Sequence, residues 1–166
     1  MLKALIATDG SATSEAALDM AGELLSGKQV EVTLLHVVPR HLIYDSRGGP
    51  VVAETFDMAE AQRASAALLD TSAQRLRDRG VGPTITKQLE TGDPADVILT
   101  VAENHDIDLI IMGSRGLGAM ARFLRGSTST KVSAHAPCAV LVVHPKDGAA
   151  RGEAQTDLEA TITPQG

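Results

Sequence analysis

Five short aliphatic runs are separated by stretches of helical periodicity, and this alternation constrains the fold more than any other feature. The runs are Leu2 to Thr8, Val30 to Val38, Thr84 to Glu90, Asp108 to Met112 and Cys138 to His144. Between the first two, Ala17, Met20, Ala21, Leu24 and Leu25 share one helical face, with Ser11 as cap and Gly27 as stop. After a loop containing Gly48, Gly49 and Pro50, the residues Phe56, Ala59, Arg63, Ala66, Leu69, Ala73 and Leu76 predict a long amphipathic helix closed by Gly80 and Gly82. Asp93-Pro94 starts the next helix, whose stripe is Val97, Ile98, Val101 and Ala102. A short helix from Ser127 to His135 precedes the last run. Strand-helix alternation predicts right-handed crossovers and an α/β fold, a parallel sheet covered on both faces. Runs as continuous as Leu109-Ile110-Ile111-Met112 fit that double burial.

A chain of 166 residues, 43% hydrophobic, suits one domain. The only aromatics are Tyr44, Phe56 and Phe123, so the core is aliphatic and a binding site made by ring stacking is disfavoured. The net charge of -6 argues against a nucleic-acid partner and against adsorption to an anionic membrane. No apolar run reaches the roughly 20 residues that span a bilayer, and the first run reads as a strand, not a signal peptide. A cytoplasmic location is the resulting expectation. The single cysteine, Cys138, forms no internal disulfide and reads as a core thiol. From Lys146 onward the apolar period disappears, which divides the chain into a domain over 1–145 and a polar, mobile tail over 146–166.

Open sheets of this kind bind ligands at the carboxyl ends of their strands. Two loops there stand out. One is Ala7-Thr8-Asp9-Gly10-Ser11. The other is Gly113-Ser114-Arg115-Gly116, followed after nine residues by Gly126-Ser127-Thr128. Glycines admit a ligand close to the backbone, and a helix starting at Ser127 offers unpaired N–H groups and partial positive charge to an anion. Read alone, the same glycines serve equally well as turn residues. The dinucleotide fingerprint G-x-G-x-x-G is absent after the first strand, and Gly113 to Gly118 has its spacing reversed. A Walker A loop is also absent, because Gly126 to Lys131 lacks the second glycine. The five histidines, His36, His41, His105, His135 and His144, form no metal-ligand pair, and His105 to Asp108 reads as a turn. No G-x-S-x-G elbow is present.

The pattern G-x2-G-x9-G-[ST] at Gly113, Gly116, Gly126 and Ser127 resembles the ATP-binding motif of the universal stress proteins. Leu5 to Ser11, Leu34-Leu35-His36-Val37, Gly92-Asp93-Pro94-Ala95, Asp108 to Gly116 and Ala136 to Val143 are similar to that family in the same order, over residues 1 to about 145. The resemblance implies a Rossmann-like, open five-stranded parallel sheet of order 3-2-1-4-5, with Asp9 opposite Gly113. It implies ATP, with Mg²⁺, as the ligand. Ala7, Thr8 and Asp9 would line the adenosine, the Val37 backbone the adenine edge, and Met112 the base. Gly113 and Gly116 would lie by ribose and phosphate, and Gly126, Ser127 and Thr128 by the phosphates. Asp9 suits ribose hydroxyls or Mg²⁺, with a turn-stabilising role as its alternative. Arg115, Arg122 and Arg125 are candidates to steer the anion. The resemblance also implies a homodimer paired through the last strand, Cys138 to His144, whose edge would otherwise be bare. The expected role is a nucleotide-dependent binding or signalling module in which ATP orders 117–125. A slow ATPase or nucleotide transferase, and a structural dimer without nucleotide, remain the alternatives; no base for hydrolysis is evident.

Overall fold

The computed structural model describes residues 1–39, 42–44, 50–52, 58–82, 84–116 and 127–144, with side chains placed over 1–39, 60–82, 84–116 and 127–144. Strands β1 (Leu2–Ala7), β2 (Val30–Pro39), β5 (Ile85–Gly92), β6 (Leu109–Gly113) and β7 (Ala139–Val143) form one parallel sheet in the order β5-β2-β1-β6-β7. This is the expected 3-2-1-4-5 order. Chain order reverses between β1 and β6, whose last paired residues are Ala7 and Met112. Two short strands, β3 (Leu42–Tyr44) and β4 (Pro50–Val52), pair antiparallel in what reads from the sequence as a plain loop. Three residues are too few for alternation to betray a strand.

Helices α1 (Ala12–Leu25) and α2 (Met58–Asp78) cover one face of the sheet, and α3 (Pro94–Asn104) and α4 (Ser127–His135) the other. Side-chain alternation along the strands feeds the two layers. Ala4, Ile6, Val32, Leu34 and Ile111 join α1 and α2, whereas Leu5, Leu35, Ile110 and Met112 join α3 and α4. The caps are those the sequence indicates. The Ser11 hydroxyl accepts the Ser14 N–H at the start of α1, and the Asp93 carboxylate accepts the Asp96 N–H at the start of α3. Three details differ from the periodic reading. Leu24 is 40% exposed. In α2 the buried stripe runs through Ser65, Leu69, Ser72, Ala73 and Leu76, leaving Ala66 in solvent. Cys138 precedes β7 and is half-buried, because β7 closes the sheet and has a neighbour on one side only; burial pushes its thiol pKa up, with the charge of Asp108 adding to the effect.

An ion cluster locks α1 to α2. Arg75 makes a two-pronged contact with Asp19, Nε to Oδ1 at 2.7 Å and one terminal nitrogen to Oδ2 at 2.8 Å. Arg79 adds a contact to Asp19 Oδ1 at 2.9 Å. All three side chains are partly exposed, so Asp19→Ala is expected to lower stability by about 1 kcal/mol, and by less in high salt. Urea unfolding at low and high ionic strength checks both statements.

Candidate functional site

β1 leaves the sheet after Ala7, and this departure shapes the site. The Thr8 N–H still donates to the Leu35 carbonyl at 2.9 Å, and the Thr8 carbonyl accepts from His36 Nδ1 at 2.8 Å. Leu35 turns its carbonyl toward β1, while Val32 directs its N–H to Thr84 on the β5 side. Backbone groups alternate along a strand, so Val37, two residues past Leu35, turns its N–H and carbonyl toward the space that β1 has vacated. Ala7, Val37 and Met112 all sit on the α3 and α4 face, at the carboxyl ends of three adjacent strands. The structure thus brings these three predicted residues onto one aliphatic floor.

The phosphate-side candidates gather at the switch between β1 and β6. Gly113 is buried against the first turn of α1: a Cβ there would lie 2.7 Å from the Thr13 carbonyl carbon and Oγ1 and 2.8 Å from the Ser14 nitrogen. Gly116 faces Asp9, with Oδ2 at 2.7 Å from where its Cβ would be. Asp9 is therefore opposite Gly116, not Gly113. The register alone pairs Ala7 with Met112, but the chain bends back after Gly113 and brings residue 116 to the carboxylate. Asp9 Oδ1 accepts the Ser11 N–H at 3.0 Å, so this side chain does shape the turn.

Ser127 and Thr128 open α4, whose first-turn N–H groups have no partner within the helix. Ser129 secures that end by donating its hydroxyl to the Ser114 carbonyl at 3.0 Å. The Ser114 N–H in turn donates to the Val143 carbonyl at 2.9 Å. The Ser114 Oγ is buried and has no hydrogen-bond partner among the described residues. Arg115 is exposed beside these groups. Gly126, Arg122, Arg125 and the 117–125 segment lie outside the described residues.

Ser14, Thr13, Ser129 and His36 take part in this edge although the sequence marks none of them as more than a helix or strand residue. The D-G-S start of α1 points to a cap at Ser11 alone. The carbonyls that the other hydroxyls and His36 engage belong to backbone, which carries no residue-type signal.

Lys131 ties α4 to the start of α3, with Nζ 2.7 Å from Asp96 Oδ1 and 3.5 Å from Asp93 Oδ1. The Asp96 N–H holds the Asp93 carboxyl below its ordinary pKa; burial opposes it, and the charge of Lys131 adds to the lowering. A depressed folded-state value stabilises the fold above the ordinary carboxylate pKa, and that contribution fades as pH falls through the folded value. Asp93→Ala is expected to cost about 1 kcal/mol at pH 7, and the gap to the wild type to narrow in acid; unfolding curves between pH 7 and pH 3 test this. Among the described residues no three His, Cys, Asp or Glu side chains cluster as metal ligands, and no helix is long and apolar enough to cross a membrane.

Comparison with known proteins places this geometry. The model of the universal stress protein family matches residues 1–144. The Bacillus subtilis universal stress protein YxiE is 32% identical over 161 residues, covering 85% of this chain and 97% of that protein. Among solved structures, the hypothetical protein MJ0577 is 30% identical with a TM-score of 0.73, covering 87% of this chain and 96% of the other. More distant likenesses, 21% to 22% identical, share the fold. They are a universal stress protein in complex with cAMP (TM-score 0.66, 87% of this chain), one from Arabidopsis thaliana with AMP (0.60, 92%) and one from Archaeoglobus fulgidus with dAMP (0.59, 86%), each covered over 98% of its length.

Proposed function

The chain belongs to the universal stress protein family, and we propose that it is a member that holds ATP, with Mg²⁺, at the carboxyl edge of β1 and β6. The observation that carries this reading is the meeting of two surfaces there. One is the aliphatic floor of Ala7, Val37 and Met112; the other is the start of α4, anchored on Ser114. A flat apolar base suits the floor, and the Val37 backbone offers its edge a donor and an acceptor, the pattern adenine itself presents. cAMP, AMP and dAMP, the ligands of three structural neighbours, have that base in common while differing in sugar and phosphate. This favours the base as the shared element of recognition.

The residues present fit the remainder of the nucleotide. Gly113 and Gly116 keep side chains out of the turn after β6, and the buried Ser114 hydroxyl has no hydrogen-bond partner among the described residues. In this reading Thr8 and Asp9 lie by the ribose, with Asp9 Oδ2 also a ligand for Mg²⁺. Gly116, Gly126, Ser127 and Thr128 take the phosphates, drawn by the helix terminus, and Arg115 steers the anion. Binding changes the surface offered to a protein partner, so the chain acts as a nucleotide-dependent binding module. The same reading assigns the nucleotide unit to residues 1–145 and leaves 146–166 as a tail outside it. It pairs two copies through β7, where Val140, Leu141 and Val142 are half-buried on the last strand of the sheet.

Denaturing the purified protein and identifying the released base and phosphate count, followed by titration with MgATP, tests the ligand. Saturable binding of adenine nucleotides is expected; no binding at millimolar nucleotide overturns the proposal. Light scattering at tens of micromolar tests the pairing, and a monomer there counts against it.

A further inference from the structure

We infer that Thr13 is the positioning residue of the turn after β6: from the first turn of α1 its hydroxyl sets the peptide between Arg115 and Gly116. The binding consequence rests on the function proposed above; the structural consequence does not.

Thr13 is a buried polar residue, 8% exposed. Its hydroxyl donates to the Arg115 carbonyl, and the Ser11 hydroxyl approaches the same carbonyl more distantly, at 3.4 Å. The two hydroxyl oxygens are 3.2 Å apart; each carries one proton, so with Thr13 donating to the carbonyl, Ser11 can donate to Thr13 instead. Thr13 also bears on Gly113 through its own backbone. It therefore touches the turn at both 113 and 115. The Arg115 side chain is in solvent, so nothing in that side chain's packing would set the peptide.

A trans peptide points its carbonyl and the following N–H in opposite directions. A carbonyl of Arg115 drawn toward α1 therefore turns the Gly116 N–H away from α1. With that carbonyl released, the peptide is free to rotate, and glycine at 116 puts up little resistance. One helical turn also steadies the other loop. Ser14 Oγ donates to the Ser11 carbonyl at 3.0 Å, and lies 3.4 Å from both Thr8 Oγ1 and the Asp9 nitrogen. The exits of β1 and β6 are thus fastened to one helical turn, β1 through Ser14 and Ser11 and β6 through Thr13 and Ser11, and Thr13 is the member that reaches the glycine turn most closely.

The test compares Thr13→Val, which keeps the shape and removes the donor, with Thr13→Ser, which keeps the donor. ATP affinity and amide hydrogen exchange without nucleotide are measured for each. Thr13→Val is expected to weaken ATP binding about tenfold and to speed exchange across 113–116 by a similar factor, leaving β1 and β2 amides unchanged. Thr13→Ser is expected to stay within about twofold of wild type in both, as retention of the hydroxyl requires. Wild-type exchange across 113–116 in Thr13→Val overturns the inference. So does acceleration spread evenly over the sheet, or a Thr13→Ser variant that behaves like Thr13→Val. A wild-type chain that fails to bind ATP defeats the proposed function instead, while the exchange comparison still decides whether Thr13 positions the turn.

Discussion

Gly113→Ala is expected to lower stability by about 3 kcal/mol and the melting temperature by about 10 °C. The added methyl would meet the Thr13 carbonyl carbon and Oγ1 at 2.7 Å and the Ser14 nitrogen at 2.8 Å, two of which are backbone atoms of a capped helix. Neither side can yield cheaply. α1 is held from its other end of the contact by the Ser11 cap and by the packing of Ala17, Leu18 and Ala21. β6 is flanked on both sides, by β1 and β7, and Gly113 itself pairs with Val143. A shift large enough to relieve the clash breaks one of those ladders or opens the core between α1 and the sheet.

Gly116→Ala supplies the contrast. Its methyl would press on Asp9 Oδ2 at 2.7 Å, and the next nearest atom among the described residues, Asp9 Cγ, is 3.9 Å away. A carboxylate can swing, at the expense of its bond to the Ser11 N–H, so the stability loss is expected to be about 1 kcal/mol. The two glycines of one motif therefore separate in a melting experiment. Near-identical melting temperatures for the two variants would show that Gly113 is not wedged against α1.

That difference was hidden in the sequence, where both positions are the same letter in the same motif. The alternation of aliphatic runs and periodic stretches was enough for a parallel sheet with two helical layers, since burial on both faces is a property of composition. Ser11 and Asp93 were readable as caps because capping depends on residue type and position alone. The strand order came from likeness to a family, as nothing in periodicity says which strands are neighbours. Apolarity misjudged α2, where Ser65 and Ser72 face the core and Ala66 does not, because small hydroxyl side chains fit a close helix contact. At the site, Ala7 was legible in the loop after the first strand, while Val37 and Met112 were marked only by the resemblance to the family. The opposition of Asp9 to Gly116 and the grip of Thr13 on Arg115 were not, since both depend on how the chain bends after Gly113.

Ser127→Asp should divide folding from binding in opposite directions. Ser127 is exposed at the first position of α4. A carboxylate there interacts favourably with the helix terminus, so stability should hold or rise by about 0.5 kcal/mol. The same carboxylate would stand beside the phosphates in the proposed complex. Two unit charges about 5 Å apart repel by roughly 3 kcal/mol at an effective dielectric near 20, which is about a hundredfold in affinity. The loss should be largest for ATP, smaller for AMP and absent for adenosine, and added salt should recover part of it. Titrating all three ligands into both proteins at two ionic strengths makes the comparison. Equal losses for adenosine and ATP would mean that the substitution disturbs the base site or the fold. Unchanged ATP affinity would mean that the phosphates do not run to α4, and the assignment of Ser127 and Thr128 would fall while the aliphatic floor under the base could stand.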